Sequence, residues 1–281
     1  MSALAASEVR VENQDTVIER YELKYVIPSR WIEPITQFIA PYCRLDEHSR
    51  VQGDNFYPVN SLYFDTLNYR FLNQRLWGAD RRFNMRVRSY GDGREAPYFA
   101  ELKFKTATYV KKFRAVLELQ EWPGFLHTSE LDPLDEVETP RRVFKRMAHA
   151  YAIEPKIFTC YRRRAFVSEV DDYARVTMDI DMQYRPQTPL ICDDPYNLSP
   201  DRNCISYDIQ SIYGDEAHYQ ANVILELKAT SGFVPTWMIE LIRRFELKQV
   251  GFSKYVNSSL VDNHDNGWRY MDVSTEGLEP A

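Results

Sequence analysis

Three stretches of the chain carry Glu-Leu-Lys inside a β-like run: Glu22-Leu23-Lys24, Glu101-Leu102-Lys103 and Glu226-Leu227-Lys228. Successive side chains of a strand point to opposite faces. Each triplet therefore sets a carboxylate and an ammonium on one face and leucine on the other. Sorting the neighbouring runs by parity extends the pattern. Arg20 joins Glu22 and Lys24; Arg86 pairs with Arg88; Lys105 follows Glu101 and Lys103. Lys112, Arg114 and Glu118 share a face, as do Arg175, Thr177, Asp179 and Asp181. Glu226 and Lys228 complete the set, and Arg162-Arg163-Arg164 adds one or two cations that parity cannot choose among.

An antiparallel sheet with one wet face shows the same alternation, and Lys–Glu pairs across strands are common decoration. Ordinary wet faces also mix in Ser, Thr, Gln and Asn. Here the polar face is almost wholly ionic and rich in arginine, whose planar fork suits phosphate oxygens. Curled inward, such a face makes a lumen that a polyanion would complete. A unit charge pair near 4 Å is worth roughly 4 kcal/mol at an effective dielectric of about 20, and a phosphate chain presents several charges in a row. The carboxylates Glu22, Glu101 and Glu226 either pair with the cations or hold a divalent metal shared with phosphate oxygens.

The elements that must position these residues are legible. β-like runs fall at 17–27, 58–64, 82–91, 97–106, 111–120, 157–169, 173–184 and 222–230. Helical spacing appears from Pro28 to Ala40, from an Asp65 cap to about Trp77, from Thr139-Pro140 onward, and from Pro235 to Val250. A fourth triplet, Glu246-Leu247-Lys248, falls in that last helical pattern and reads as a solvated pair. The stretch 185–221, rich in Pro, Asp, Asn and Ser, reads as a long loop with room for a short strand. Residues 1–16 read as a flexible leader, 17–260 as a single α+β domain with a mostly antiparallel sheet, and 261–281 as a polar tail.

Composition narrows the function classes. The chain has 281 residues, 44% hydrophobic and 14% aromatic, as expected of a globular domain. Its net charge of −6 argues against non-specific attraction to nucleic acid or anionic membrane. Any anion site is therefore a local concentration of the 35 Lys and Arg residues. Cys43, Cys160, Cys192 and Cys204 are widely spaced, with no zinc pattern, and read as reduced thiols of a cytoplasmic protein. Nothing approaches the run of about 18 apolar residues that spans a membrane; attachment to a membrane through a partner protein stays open. Walker A, HExxH and GxSxG motifs are absent.

Eight segments in order resemble the VTC domain, the polyphosphate polymerase domain of the vacuolar transporter chaperone family, within the CYTH-like triphosphate tunnel metalloenzymes. They are Arg20-Tyr-Glu22-Leu-Lys24-Tyr25, Asn60-Ser-Leu-Tyr-Phe-Asp65, Arg86-Val-Arg88, Glu101-Leu-Lys103, Tyr161-Arg-Arg163, Arg175-Val-Thr-Met-Asp179, Leu225-Glu226-Leu-Lys228 and Phe252-Ser-Lys254-Tyr255. The resemblance covers roughly residues 17–260. It implies a closed, mostly antiparallel β-barrel with an ionic lumen and helices outside. It also implies transfer of the γ-phosphate of a nucleoside triphosphate, ATP, to a growing inorganic polyphosphate chain, assisted by Mn²⁺ or Mg²⁺.

By motif position the resemblance assigns Lys24, Arg86, Arg88, Lys103, Arg163, Arg175 and Lys254 to catalysis. Arg20, Lys112, Arg114, Ser253 and Lys228 would bind substrate, and Glu226 the metal. Two features depart from the superfamily pattern. Its hydrolase branch opens with Glu-x-Glu-x-Lys, whereas Arg20 stands in the first position here, which favours the polymerase branch over a triphosphatase. The segment between Lys103 and Lys112 is shortened, which leaves Lys111 and Lys112 both open as the tunnel residue. A triphosphate hydrolase using water as acceptor and a non-enzymatic polyphosphate-binding module are the competing readings.

Overall fold

The computed structural model of the chain describes residues 20–94, 97–106, 109–127, 139–171, 173–190, 192–206, 221–230 and 232–265. The leader at 1–16 and the tail beyond 265 lie outside them. The strands are β1 (Arg20–Pro28), β2 (Cys43–Leu45), β3 (Tyr57–Asp65), β4 (Arg81–Tyr90), β5 (Tyr98–Thr106), β6 (Tyr109–Leu117), β7 (Glu154–Ser168), β8 (Ala174–Pro186), β9 (Ile205–Ser206) and β10 (Ala221–Thr230). They form one sheet in the order β1-β10-β8-β7-β3-β4-β5-β6, with β2 on β7 and β9 on β8. Every pairing is antiparallel.

The fold is thus the expected α+β type, with each of the eight predicted β-runs realised as a strand. One detail differs from a closed barrel. β1 and β6 end the hydrogen-bonded path and are not neighbours. The sheet curls instead until a β5 side chain meets a β1 side chain across its concave face: Lys103 Nζ lies 2.7 Å from Glu22 Oε2.

Helices cover the convex face, as the period-two leucines require. Leu102 packs in a cluster with Leu62, Met85, Leu117 and Phe144, the last from α4 (Pro140–Ala150). Leu227 packs with Val176, Leu225, Trp237 and Leu241, with Leu23 at the edge. This second cluster lies under α1 (Ile32–Ile39) and α5 (Thr236–Arg244). Thr139 and Pro140 open α4 as expected, the Thr139 hydroxyl accepting from Arg142 N. α5 is shorter than its sequence pattern. It stops before Glu246, which takes a left-handed φ of 48°, so the fourth Glu-Leu-Lys lies in the turn after the helix. That turn returns the chain to β1, where Val250 N donates to Lys24 O.

A third cluster sits on the concave face and includes Tyr63, Tyr161, Tyr184 and Ile224. Phe252, just before it, and Tyr255 within it cover this cluster from α6 (Lys254–Asp265), a helix the sequence pattern does not show. Asp65 at the end of β3 ties this helix down. Its carboxylate accepts from Phe71 N and Leu72 N, the first turn of α3 (Arg70–Leu76), and from Tyr255 Oη at 2.7 Å. Tyr255 also stacks on Tyr63, centroids 5.3 Å apart. α2 is the short helix Glu47–Arg50 beside β2.

A bulge decides one face. The β7–β8 register shifts between Cys160 and Arg162, and Asp181 opposite takes φ 53°. The extra residue reverses parity beyond it. Asp179 is buried, whereas Asp181 is exposed and pairs with Arg162. Asp181 therefore does not share the face of Asp179, contrary to the parity expectation. Replacing Asp65 with Ala strips the α3 amides and the Tyr255 hydroxyl of their acceptor. We expect a stability loss of about 2–4 kcal/mol in urea unfolding; a loss below 1 kcal/mol would show that Asp65 does not anchor α6.

Candidate functional site

The register sets the concave side chains in rungs. On one wall Arg86 stands opposite Glu101, and Glu101 opposite Arg114. In the next rung Asn84, Lys103 and Lys112 are opposite one another. On the other wall Lys24 faces Glu226 across β1 and β10, and Glu22 faces Lys228. Arg175 continues that second rung beside Lys228. Arg163 faces Asp179 across β7 and β8.

Glu101 is a hub. Its carboxylate, 2% exposed, meets Arg86 at 2.6 Å, Lys112 at 2.7 Å and Arg114 at 2.6 Å. Burial alone would raise its pKa, but the surrounding cations outweigh burial and hold it well below the usual carboxylate range. Arg86 also donates to Tyr63 Oη at 3.0 Å, and Arg88 to Ser61 Oγ at 3.3 Å and Tyr161 Oη at 3.4 Å. Lys112 is the least settled of the three. Burial pushes it down to about 7, and repulsion from Arg114, Arg86 and Arg88 works against the attraction of Glu101.

Asp179 is the second hub. Arg163 grips it through two N–H groups, at 2.7 and 2.8 Å, and Lys254 adds a third contact at 2.5 Å. Burial would raise this carboxyl too, yet Arg163 and Lys254 bring it to about 2. Lys254 also lies 4.3 Å over the Tyr161 ring.

Glu226 lies beside this second hub, buried, with Lys228 Nζ 3.5 Å away. Burial opposes its ionisation; Lys228, Lys24, Arg163 and Lys254 overcome that and keep it a carboxylate. Lys24 donates to Phe252 O at 2.9 Å, and burial pushes its ammonium down to about 8. Among the described residues no group of three or more His, Cys, Asp or Glu side chains could hold a metal ion. An ionised Glu226, whose charge acts on the nearby Glu22, is nevertheless an oxygen donor of the kind a hard divalent cation takes.

The concave face thus brings together Lys24, Arg86, Arg88, Lys103, Lys112, Arg114, Arg163, Glu226, Lys228 and Lys254. Lys112, not Lys111, faces the lumen; Lys111 instead lies 4.5 Å over the Phe113 ring on the convex side. Of the arginine run, Arg163 points inward, while Arg164 binds Glu33 at 2.7 Å and Arg162 binds Asp54. Ser253 precedes Lys254 at the start of α6, its amide donating to Asn257 Oδ1. Arg175 is in the concave register but exposed, its guanidinium 5.6 Å from the Tyr173 ring. Arg20 begins β1 opposite Thr230, and its side chain lies outside the described residues. Glu101 takes the cation-pairing alternative that the sequence leaves open to it, whereas parity places Asp179 only on a polar face and gives no weight to Tyr63 and Tyr161. The signal for the acids was present: each sits among cations in the alternating pattern.

Residues 19–261 match the family described as the VTC domain. No curated protein matches the chain in sequence. Similar solved structures include a candidate adenylate cyclase from Bacillus halodurans, 12% identical, with 86% of this chain and 96% of that one covered and a TM-score of 0.47. A candidate adenylate cyclase from Vibrio parahaemolyticus is 10% identical, with coverage of 86% and 99% and a TM-score of 0.44. A Pyrococcus horikoshii OT3 protein is 9% identical, with coverage of 88% and 99% and a TM-score of 0.41.

A polyanion placed beside Lys112 would favour its charged form, raising its pKa from about 7 toward the ordinary lysine value. Binding inorganic triphosphate near pH 8 should therefore take up protons. Calorimetry in buffers of different ionisation enthalpy reads this directly. Lys112→Arg, charged throughout, should lower the uptake; an unchanged uptake would place the titrating group elsewhere.

Proposed function

The chain belongs to the VTC domain family, and from that premise we propose that it is a polyphosphate polymerase. It would transfer the γ-phosphate of ATP to the end of an inorganic polyphosphate chain. The observation that supports this reading most is the balance of charge in the lumen. Lys24, Arg86, Arg88, Lys103, Lys112, Arg114, Arg163, Lys228 and Lys254 outnumber Glu22, Glu101, Asp179 and Glu226. A surplus of cations crowded on one concave face is costly until a matching anion arrives, and a chain of phosphates matches a row of cations better than a single carboxylate does.

Phosphoryl transfer asks a protein mainly for positioning and for neutralising charge. A terminal oxygen of the acceptor chain attacks the γ-phosphorus in line, the bond to the β,γ-bridging oxygen breaks, and ADP leaves. Arg86 and Arg88, set by Tyr63, Ser61, Tyr161 and Glu101, would bind equatorial oxygens with planar N–H pairs. Arg163 and Lys254, fixed on Asp179, would do so from the opposite wall. Lys24 and Lys103 would hold the remaining phosphates. Glu226, with Glu22 nearby, would hold the divalent ion, which when bound polarises phosphoryl oxygens and withdraws charge from them. No side chain need become a covalent nucleophile.

ATP is the proposed donor and inorganic polyphosphate the proposed acceptor and product. No helix of the described residues is long and apolar enough to cross a membrane; a cytoplasmic location, and docking to a membrane-bound partner, are proposals on the same footing. Incubating the purified chain with ATP and Mn²⁺ and reading polymer on a gel tests the activity. Release of orthophosphate without polymer would assign the hydrolase reading instead, and absence of turnover the binding module. Arg86→Ala should lower synthesis at least about a hundredfold, on the scale of one lost oxyanion-type contact; normal polymer yield would remove Arg86 from the site. Glu226→Gln should abolish the response of rate to Mn²⁺ titration, and a normal titration curve would overturn the metal role.

A further inference from the structure

Cations continue past the two hubs. Arg82 on β4 stands directly opposite Lys105 on β5, on the concave parity of Arg86 and Lys103. Arg75, in the last turn of α3, joins them. Burial and then the charge of Arg82 act on Arg75, and burial, Arg82, Arg75 and Lys103 act on Lys105. Glu22 is the carboxylate that both feel, and it is already engaged by Lys103 at 2.7 Å. Like charges directly opposite in a ladder destabilise it, so the fold tolerates a cost here. Arg82 donates one N–H to Ala79 O at 3.1 Å, but its Nε is buried without a hydrogen-bond partner among the described residues. Buried donors are ordinarily paired, and this one belongs to a cation among cations.

We propose that Arg75, Arg82 and Lys105 form a further phosphate subsite, joined to the lumen through Lys103, that holds phosphates of a long polyphosphate beyond the reach of a triphosphate. The Arg82–Lys105 pairing and the unpartnered Arg82 Nε carry the inference, which rests on the reading of the lumen as a polyphosphate site. A chain lying along Lys103 meets Lys105 two residues further on the same strand face. Its oxygens would supply the acceptor that Arg82 lacks and relieve the repulsion between Arg82, Lys105 and Arg75. The subsite would make affinity depend on chain length.

Calorimetric binding of inorganic triphosphate and of long-chain polyphosphate to the intact chain tests this, comparing the unmodified protein with Arg82→Gln/Lys105→Gln. The double variant should bind long-chain polyphosphate about tenfold more weakly, the loss of about one good contact, and triphosphate as before. Its melting temperature should not fall, since repulsion is removed. Equal affinities of variant and unmodified protein for both ligands overturn the subsite while leaving the lumen reading intact. An equal loss for both ligands also overturns it, because the residues would then serve the triphosphate site or the fold. If the unmodified chain binds neither ligand, both readings fail together. Should the double variant not fold, Lys105→Gln alone must show the chain-length effect, and equal losses there would overturn the subsite too.

Discussion

Ammonium and guanidinium groups crowded onto one inward face repel each other, and burial removes the water that would screen them. Glu101 and Asp179 make the crowding tolerable. Each is almost fully buried and each is shared by more than one cation, so that a single negative charge fixes several positive ones. The arrangement is deliberately incomplete in charge. The cations are held in place yet not neutralised, and the remaining positive potential is what an incoming phosphate chain would meet. Buried ion pairs contribute little to net stability; here they fix the arginine forks in one orientation, which would suit a ligand that needs them preorganised.

The hubs sit on opposite walls of the curled sheet, and their separation is a consequence of strand order. β4, β5 and β6 bring Arg86, Glu101 and Arg114 into one rung by register alone. The other wall needs more. Arg163 and Asp179 meet across β7 and β8, but Lys254 arrives from α6, whose position depends on Asp65, Tyr255 and the aromatic cluster on the concave floor. One wall is therefore a property of the sheet, and the other a property of the sheet together with α6. Lys24 links them, donating to Phe252 O just before α6 begins.

Much of this was readable in advance because a strand has period two. The alternation in the Glu-Leu-Lys runs placed Leu23, Leu102 and Leu227 outward and their acids and lysines inward, and the clusters under α1, α4 and α5 show the leucines there. Where period two breaks, the reading broke. Asp181 follows Asp179 by two residues, but a bulge turns it outward. Glu246 sits in helical spacing, but the helix ends before it. α6 was not visible, because its sequence mixes polar and apolar residues without a clean stripe, and much of its anchoring comes from tertiary contacts of Tyr255.

By itself the sequence determined which residues alternate, and hence that one sheet face would be ionic, arginine-rich and backed by leucine. It also carried, in ordered motifs, the membership in the VTC domain family. Only the tertiary structure decided which charges meet. It chose Arg163 from three consecutive arginines and Lys112 over Lys111, and it made Glu101 and Asp179, rather than Glu22 or Glu226, the hubs. The physical reason is range. Alternation is a local property of the backbone, fixed within a few residues, whereas an ion pair between residues 81 positions apart, such as Lys103 with Glu22, exists only once the sheet has curled.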